Sequence, residues 1–273
     1  MAVLRSVHLR SDDAELVYWT LGDGPSVVLL HPFPAHHEFW LPVAEELSSR
    51  YRLILPDLRG HGESEIGEGP ATMAKHARDL VRLLDDAQVG RVPLIGVSIG
   101  GYILLELWRK HPDRVRALGL WNTKAPADNP EGRAGRLQAA KDVLERGNEP
   151  FLESMASRVL AKTTQETRPD LVQGALRMMR QMSPEDIAQV QRGMAERPDS
   201  METLKTISVA TLIVTGDEDL ATGRNEAELM RAHIGGSQLR VIAKAGHYSA
   251  WEQPAEAAAI LRQFLDSLPR WRN

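Results

Sequence analysis

A mostly parallel α/β sheet flanked by helices, with a helical segment inserted after the sixth strand, is the fold the sequence predicts. Three observations carry it. Short runs of consecutive apolar residues recur along the chain: "SVVLLH" (26–31), "RLILPD" (52–57), "VPLIGV" (92–97), "VRALGLW" (115–121), "ATLIVTG" (210–216) and "LRVIA" (239–243). Helical sequence separates most of them, at 39–50, 72–88, 99–111, 224–235 and 254–268. The rhythm then breaks once, because residues 123–208 contain no strand-like run.

Consecutive apolar positions are what a strand buried on both faces requires, and the alternation with helices points to right-handed crossovers on a parallel sheet. Near the start, "VHLR" and "LVYWTL" have no helix between them and fit an antiparallel hairpin at the sheet edge. Within 123–208, Pro130, Pro150, Pro169, Pro184 and Pro198 punctuate charged, methionine-containing sequence at intervals suited to four or five short helices. Six of the nine methionines fall there: Met155, Met178, Met179, Met182, Met194 and Met201. A soft, adaptable side chain of this kind fills the core of a small helical layer, or lines the underside of a lid facing a variable ligand. The expected organisation is a core of residues 1–122 and 209–273 with a helical cap over 123–208.

Composition closes several routes. The 273 residues are 42% hydrophobic and carry a formal charge of −4, with acids and bases interspersed, so no basic face suggests nucleic acid. Without cysteine there is no disulfide, no zinc–thiolate site and no cysteine nucleophile. No apolar run approaches the roughly 20 residues needed to span a bilayer, and none of signal-peptide length precedes Asp12 and Asp13. The default expectation is a cytoplasmic protein that acts on a small molecule. "HHEFW" (36–40) lacks the spacing of a His-Glu-x-x-His zinc helix, so neither a metal nor another cofactor is expected.

The chemistry centres on "LIGVSIGGYILLEL". Gly96-Val97-Ser98-Ile99-Gly100 stands between an apolar run and a helix. Such a strand–Gly-x-Ser-x-Gly–helix corner lifts a serine hydroxyl clear of a sheet, with the helix N-terminus aimed at the same place. An unaided serine is a poor nucleophile and needs a base. Of nine histidines, His247 in "KAGHYSAWEQP" follows the last strand and precedes the last helix, on a loop at the strands' carboxyl ends. His31 and His61 suit loop architecture better. A carboxylate must then fix the imidazole tautomer. After "TLIVTG" stand Asp217, Glu218 and Asp219, and Asp219 is far enough past Gly216 to turn back towards a histidine loop. Position 122, after the preceding strand, is an asparagine and cannot carry that charge. An oxyanion hole needs two donors. The N–H of Ile99 is one, and in "HPFP" (31–34) only Phe33 offers another, since Pro32 and Pro34 have no N–H.

With "LLHPFP", "LPDLRGHGES", "GVSIGGYILLEL", "VTGDED" and "AGHYSAWEQP" in this order, the chain resembles the α/β-hydrolase superfamily nearly end to end. The stretches "TKAPADNPEGRAGR" and "MAERPDS" look like its carboxylesterase and 3-oxoadipate enol-lactonase branch. The resemblance implies a Ser98–His247–Asp219 triad, oxyanion donors at Phe33 and Ile99, and a structural role for Asp57, Arg59 and His61. It also implies hydrolysis of a small-molecule carboxylic ester through an acyl-enzyme. A lactonase or a carbon–carbon bond hydrolase on the same triad is the alternative, as is a ligand-binding protein that keeps the fold without turnover. Anionic substrates would want a cationic clamp from Arg133, Arg136, Arg158 or Arg177. Trp40, Trp121 and Tyr248 are expected at the substrate pocket.

Overall fold

A computed structural model describes residues 2–271. The predicted hairpin pairs β1 (Arg5–Arg10) with β2 (Glu15–Leu21) antiparallel, and β2 pairs antiparallel with β4 (Arg52–Pro56). Every other pairing is parallel and joins β4, β3 (Ser26–Leu30), β5 (Val92–Val97), β6 (Val115–Trp121), β7 (Ala210–Gly216) and β8 (Gln238–Ile242) in turn. Among the described residues the sheet has eight strands in the order β1-β2-β4-β3-β5-β6-β7-β8. β3 and β5 are buried at every position, the signature of strands covered on both faces. The covering helices are α1 (Leu41–Leu47), α2 (Met73–Asp86), α3 (Ile99–Lys110), α10 (Arg224–His233) and α11 (Pro254–Ser267). The first is shorter than its sequence suggested, because His37–Trp40 forms a separate 3-10 turn.

The chain leaves β3 for β4 on one side and later returns to β5 on the other. That reversal opens a crevice beyond the carboxyl ends of β3 and β5, where ligands bind in open α/β sheets. Leu30 lies opposite Gly96 across the two strands, so the loops after them emerge side by side.

Between β6 and β7 six helices are described: α4 (Pro130–Arg146), α5 (Glu149–Val159), α6 (Lys162–Thr167), α7 (Pro169–Met179), α8 (Pro184–Ala195) and α9 (Met201–Thr206). Four or five short ones were expected. The extra helix is α6, which begins without a proline, and α4 is long at 17 residues. Elsewhere the prolines mark helix starts, standing in the first turns of α4, α5, α7 and α8, where the missing N–H costs nothing. α4 and α8 add side-chain caps, Asn129 accepting from Gly132 N–H and Ser183 forming a capping box with Asp186.

Asp57, Arg59 and His61 follow directly after β4, an interior strand, and are buried in polar contacts. Asp57 accepts from His37 N (2.8 Å), His37 Nδ1 (2.9 Å), Glu63 N (3.1 Å) and Trp19 Nε1 (3.2 Å). Arg59 is clamped by Asp79 and Asp13. His31 accepts from Leu58 N–H at Nε2, so its Nδ1–H donates to the Pro32 carbonyl.

His31, His61 and His76 are all buried, and that burial holds each imidazole below its ordinary value, His61 down to about 4. As pH falls below about 6.5 the unfolded chain protonates these rings while the folded chain does not, so stability falls between pH ~6.5 and ~4. The slope is about 1.4 kcal/mol per pH unit for each ring. His76 makes no hydrogen bond to other described groups through either ring nitrogen. His76→Leu is expected to raise the melting temperature at neutral pH and to flatten its decline towards pH ~4.5. Calorimetry across that range checks it, and an unchanged slope would show that His76 takes no part.

Candidate active site

The corner after β5 is built by crowding. A Cβ on Gly96 would lie 2.4 Å from the Gly100 carbonyl carbon, one on Gly100 2.9 Å from Leu30 Cβ, and one on Gly101 2.5 Å from Thr123 Oγ1. The turn therefore closes only with glycine at these places. Ser98 sits inside it at φ 55° and ψ −112°, a backbone state that costs a non-glycine residue about 1–3 kcal/mol and recurs at functional sites. Its N–H donates to Trp121 O (2.9 Å) and its carbonyl accepts from Thr123 Oγ1 (2.8 Å), which fixes the strained peptide to β6. Ile99 is the first residue of α3, so its N–H has no partner within the helix and points to the carboxyl end of the sheet.

His247 follows β8 and Asp219 follows β7. His247 Nδ1 lies 3.1 Å from Asp219 Oδ2 and 3.2 Å from Oδ1. Asp219 is only 7% exposed, and five donors meet it: His247, Asn122 Nδ2 (2.7 Å), Ala221 N (2.8 Å), Thr222 N (3.1 Å) and Thr222 Oγ1 (2.9 Å). Burial alone opposes ionisation. The charge of His247 and the donors of Asn122 and Thr222 outweigh it and hold the carboxyl well below the usual carboxylate range. Its neighbours are occupied differently: Asp217 is exposed, and Glu218 accepts from Thr163 N (2.9 Å) and Thr163 Oγ1.

Ser98, His247 and Phe33 line one cavity of about 390 Å³. With Nδ1 committed to Asp219, Nε2 is the imidazole nitrogen left for the cavity. The far walls come from the helical insertion. α4 supplies the small residues Gly132, Gly135 and Ala139 together with Arg136, and α5 supplies Phe151, Met155, Arg158 and Val159. Lys124 and Asp128 from the segment before α4, and Gln191 and Met194 from α8, complete them. Asp128 is met by Lys124 (2.9 Å), Arg136 (2.5 Å) and Arg197 (3.3 Å). Those cations, Arg136 and Lys124 above all, overcome its burial and depress its carboxyl. Arg158 has no ion-pair or hydrogen-bond partner among the described residues. Of the four arginines considered from the sequence, Arg136 and Arg158 face the cavity, while Arg133 and Arg177 do not line it.

The three aromatic residues expected at the pocket are not on its walls. Trp40, Trp121 and Tyr248 are each 0% exposed and form part of a floor beneath the site. Trp40 meets Trp121 edge-on (5.9 Å between centroids), and Phe39 meets Tyr248 likewise (5.1 Å). The Tyr248 hydroxyl donates to Phe33 O at 3.3 Å, bracing the loop that offers the Phe33 N–H. Aromatic bulk near a reactive loop cannot tell wall from floor in a sequence. The aromatic residues that do line the cavity are Phe33, Tyr102 and Phe151. Of the six insertion methionines, only Met155 and Met194 reach it.

The loops that carry Asp219 and His247 are tied to the insertion at one place. Tyr248 N donates to Val159 O (3.0 Å), and the buried Glu252 accepts from Gly246 N (2.8 Å), Ala161 N (2.8 Å) and Thr164 Oγ1 (2.5 Å). Burial pushes the Glu252 carboxyl up, against the pull of those three donors.

A family model described as the alpha/beta hydrolase fold matches residues 25–254. The chain belongs to the alpha/beta hydrolase fold family. Two relatives from Acinetobacter baylyi, 3-oxoadipate enol-lactonase 1 and 3-oxoadipate enol-lactonase 2, are each 28% identical to this hydrolase-fold chain. The first match covers 90% of both chains, the second 94% of this chain and 96% of the relative. Among solved structures, a thermophilic esterase from Thermogutta terrifontis with malate bound superposes with a TM-score of 0.92 at 35% identity, covering 96% of this chain and 98% of that one. No helix among the described residues is long and apolar enough to cross a membrane.

Proposed function

We propose that the protein is a serine hydrolase of small-molecule carboxylic esters, with Ser98 as nucleophile, His247 as general base and Asp219 as its orienting carboxylate. The observation that carries this is the convergence of Ser98 and His247 on one cavity, with a buried, five-donor Asp219 holding His247 Nδ1. In this reading Nε2 takes the Ser98 proton as Oγ attacks the ester carbonyl. The tetrahedral oxyanion rests against the N–H groups of Ile99 and Phe33, in the field of the α3 N-terminus. His247 returns the proton to the leaving alcohol, and the same sequence with water releases the acid. Residues 123–208 form the cap, closing the cavity over the core of 1–122 and 209–273. The names of the relatives, esterase and enol-lactonase, support ester or lactone substrates.

A second reading concerns charge. Arg158 lines the cavity unpaired, and Asp128 is outnumbered by the cations around it, which suits an ester or lactone that itself carries a carboxylate. The related esterase was solved with malate, a dicarboxylate, bound.

Ser98→Ala is expected to leave the melting temperature nearly unchanged and to lower kcat on p-nitrophenyl acetate by on the order of 10⁴ to 10⁶. Retention of a tenth of the activity would overturn the assignment, and absence of both burst and turnover in the wild type would favour a binding protein. Asp219→Asn is expected to be severely impaired and Asp217→Asn nearly normal, and the reverse ranking would move the acid to Asp217. For the charge reading, Arg158→Ala is expected to raise KM about tenfold for a monoester of a dicarboxylic acid and to leave p-nitrophenyl acetate untouched. Equal effects on both would remove the clamp. Met155→Ala and Met194→Ala are expected to reorder preference along an acyl-length series by about tenfold. Met178→Ala and Met179→Ala, at 2% and 0% exposure, are expected instead to cost about 2–5 kcal/mol of stability with the ranking kept.

A further inference from the structure

Between Trp121 and Asp219 runs a buried line of hydrogen bonds whose direction is fixed at its far end. Trp121 Nε1–H donates to Ser249 Oγ at 2.7 Å. Ser249 Oγ donates to Asn122 Oδ1, and Asn122 Nδ2 donates to Asp219 Oδ2 at 2.7 Å and to Gly246 O at 3.3 Å. Trp121, Ser249 and Asn122 are 0%, 0% and 1% exposed. An indole N–H can only donate, so the hydroxyl that receives it keeps its own proton for another acceptor, the Asn122 amide oxygen. With that oxygen engaged, the amide cannot turn over, and its NH₂ edge stays aimed at the carboxylate. Turned over, it would set two acceptors against each other in a buried place, at the cost of an unmet group.

We propose that Asn122, oriented by Trp121 and Ser249, is a positioning residue that holds Asp219 Oδ2 and thereby keeps His247 aligned as base. This rests on the triad reading above. The remaining donors to Asp219, His247 aside, come from its own turn, at Ala221 and Thr222. Asn122 is the one that ties the carboxylate to a different strand, and its own N–H is held by Val214 O at 2.7 Å. Without that tie Asp219 is held only by its own turn and by His247, and Oδ2 loses its 2.7 Å donor from the strand next door.

Asn122 sits at φ 42°, a conformation that asparagine and aspartate take more readily than other side chains. Asn122→Asp therefore keeps backbone and volume while setting a second carboxylate against the first. A buried carboxyl pair this close holds one shared proton, so a donor to Asp219 survives at low pH and is lost as pH rises. Relative to wild type, kcat/KM is expected to match at the acid end and to fall about tenfold at the alkaline end. The Nδ1 proton of His247, followed by NMR, reports the same loss of the tie and requires no turnover. The other charged groups around His247 are Glu252 behind Gly246, Arg158 on α5, and Lys124, Asp128 and Arg136 across the cavity. The substitution alters none of them.

Ser249→Ala releases the amide and is expected to lower kcat about threefold to tenfold, the worth of about one hydrogen bond, with KM for p-nitrophenyl acetate within about twofold. Trp121→Phe is expected to act through the same line, so the double variant should be no worse than the poorer single one. A folded Asn122→Asp protein whose kcat/KM follows wild type across the whole pH range would overturn the proposal, as would additive losses for Ser249→Ala and Trp121→Phe. Should Asn122→Asp fail to fold, Ser249→Ala decides: a loss in kcat with KM kept is expected, and an unchanged kcat overturns the proposal. Turnover surviving in Ser98→Ala would count against the triad, while the NMR signal of His247 still tests the tie from Asn122 to Asp219.

Discussion

A carboxylate taken out of water has to be met by donors on nearly every side, and Asp219 is the group around which the carboxyl end of this sheet is arranged. An ionised acid left unpaired in a protein interior costs several kcal/mol. Meeting it draws in the loops after three neighbouring strands: Asn122 after β6, the Ala221–Thr222 turn after β7, and His247 after β8. Those strands pair in parallel with matched register, Gly216 opposite Ile242 and Trp121 opposite Val214, so their ends reach one plane together. Glycine then lets the loops close on one another. A Cβ on Gly216 would lie 2.1 Å from Ala245 O, and one on Gly246 2.5 Å from Ala161 N.

Other buried polar groups do different work. Asp57 is held at about 2 by His37 despite its burial, yet lies outside the cavity and organises the loop after β4. Its donors are fixed backbone and ring N–H groups, which makes that loop rigid beside the Phe33 segment. His61 packs edge-on to Phe33 at 5.8 Å. Stiffness on one side of the crevice comes from this polar cluster. On the other it comes from the aromatic floor of Phe39, Trp40, Trp121 and Tyr248.

Much of this was legible in the sequence because it rests on local rules. Strands buried on two faces write themselves as apolar runs, and each of the six runs became a strand within a residue or so of its quoted limits. The Gly96–Gly100 corner and the loop positions of His247 and Asp219 follow from where strands end, which is also local. What stayed hidden depends on direction in space. Trp40, Trp121 and Tyr248 face the core rather than the cavity, a choice made by the twist of the sheet and the path of the loops. In the sequence Asn122 shows only the lack of a charge, whereas in the structure its donor edge meets Asp219. No spacing rule separates Arg136 and Arg158 from Arg133 and Arg177 either, since helix phase relative to a distant wall is set by packing.

The insertion and the sheet are chemically distinct, yet they share a seam. The insertion contributes the cations and the soft apolar surface of the cavity, and the sheet's loops contribute the hydroxyl, imidazole and carboxylate. Residues 159–164 join the two. Val159 O receives Tyr248 N–H, Ala161 N–H and Thr164 Oγ1 go to Glu252, and Thr163 goes to Glu218 beside Asp219. Glu252 also holds Gly246 N–H, so a single buried carboxylate bridges the start of α6 to the residue before His247. The insertion is thus hydrogen-bonded to the imidazole loop through residues 159–164, whereas α4 packs mainly on α8. Hydrogen bonds join the cavity wall to the imidazole loop on the α5–α6 side, and none runs from α4 to that loop among the described residues.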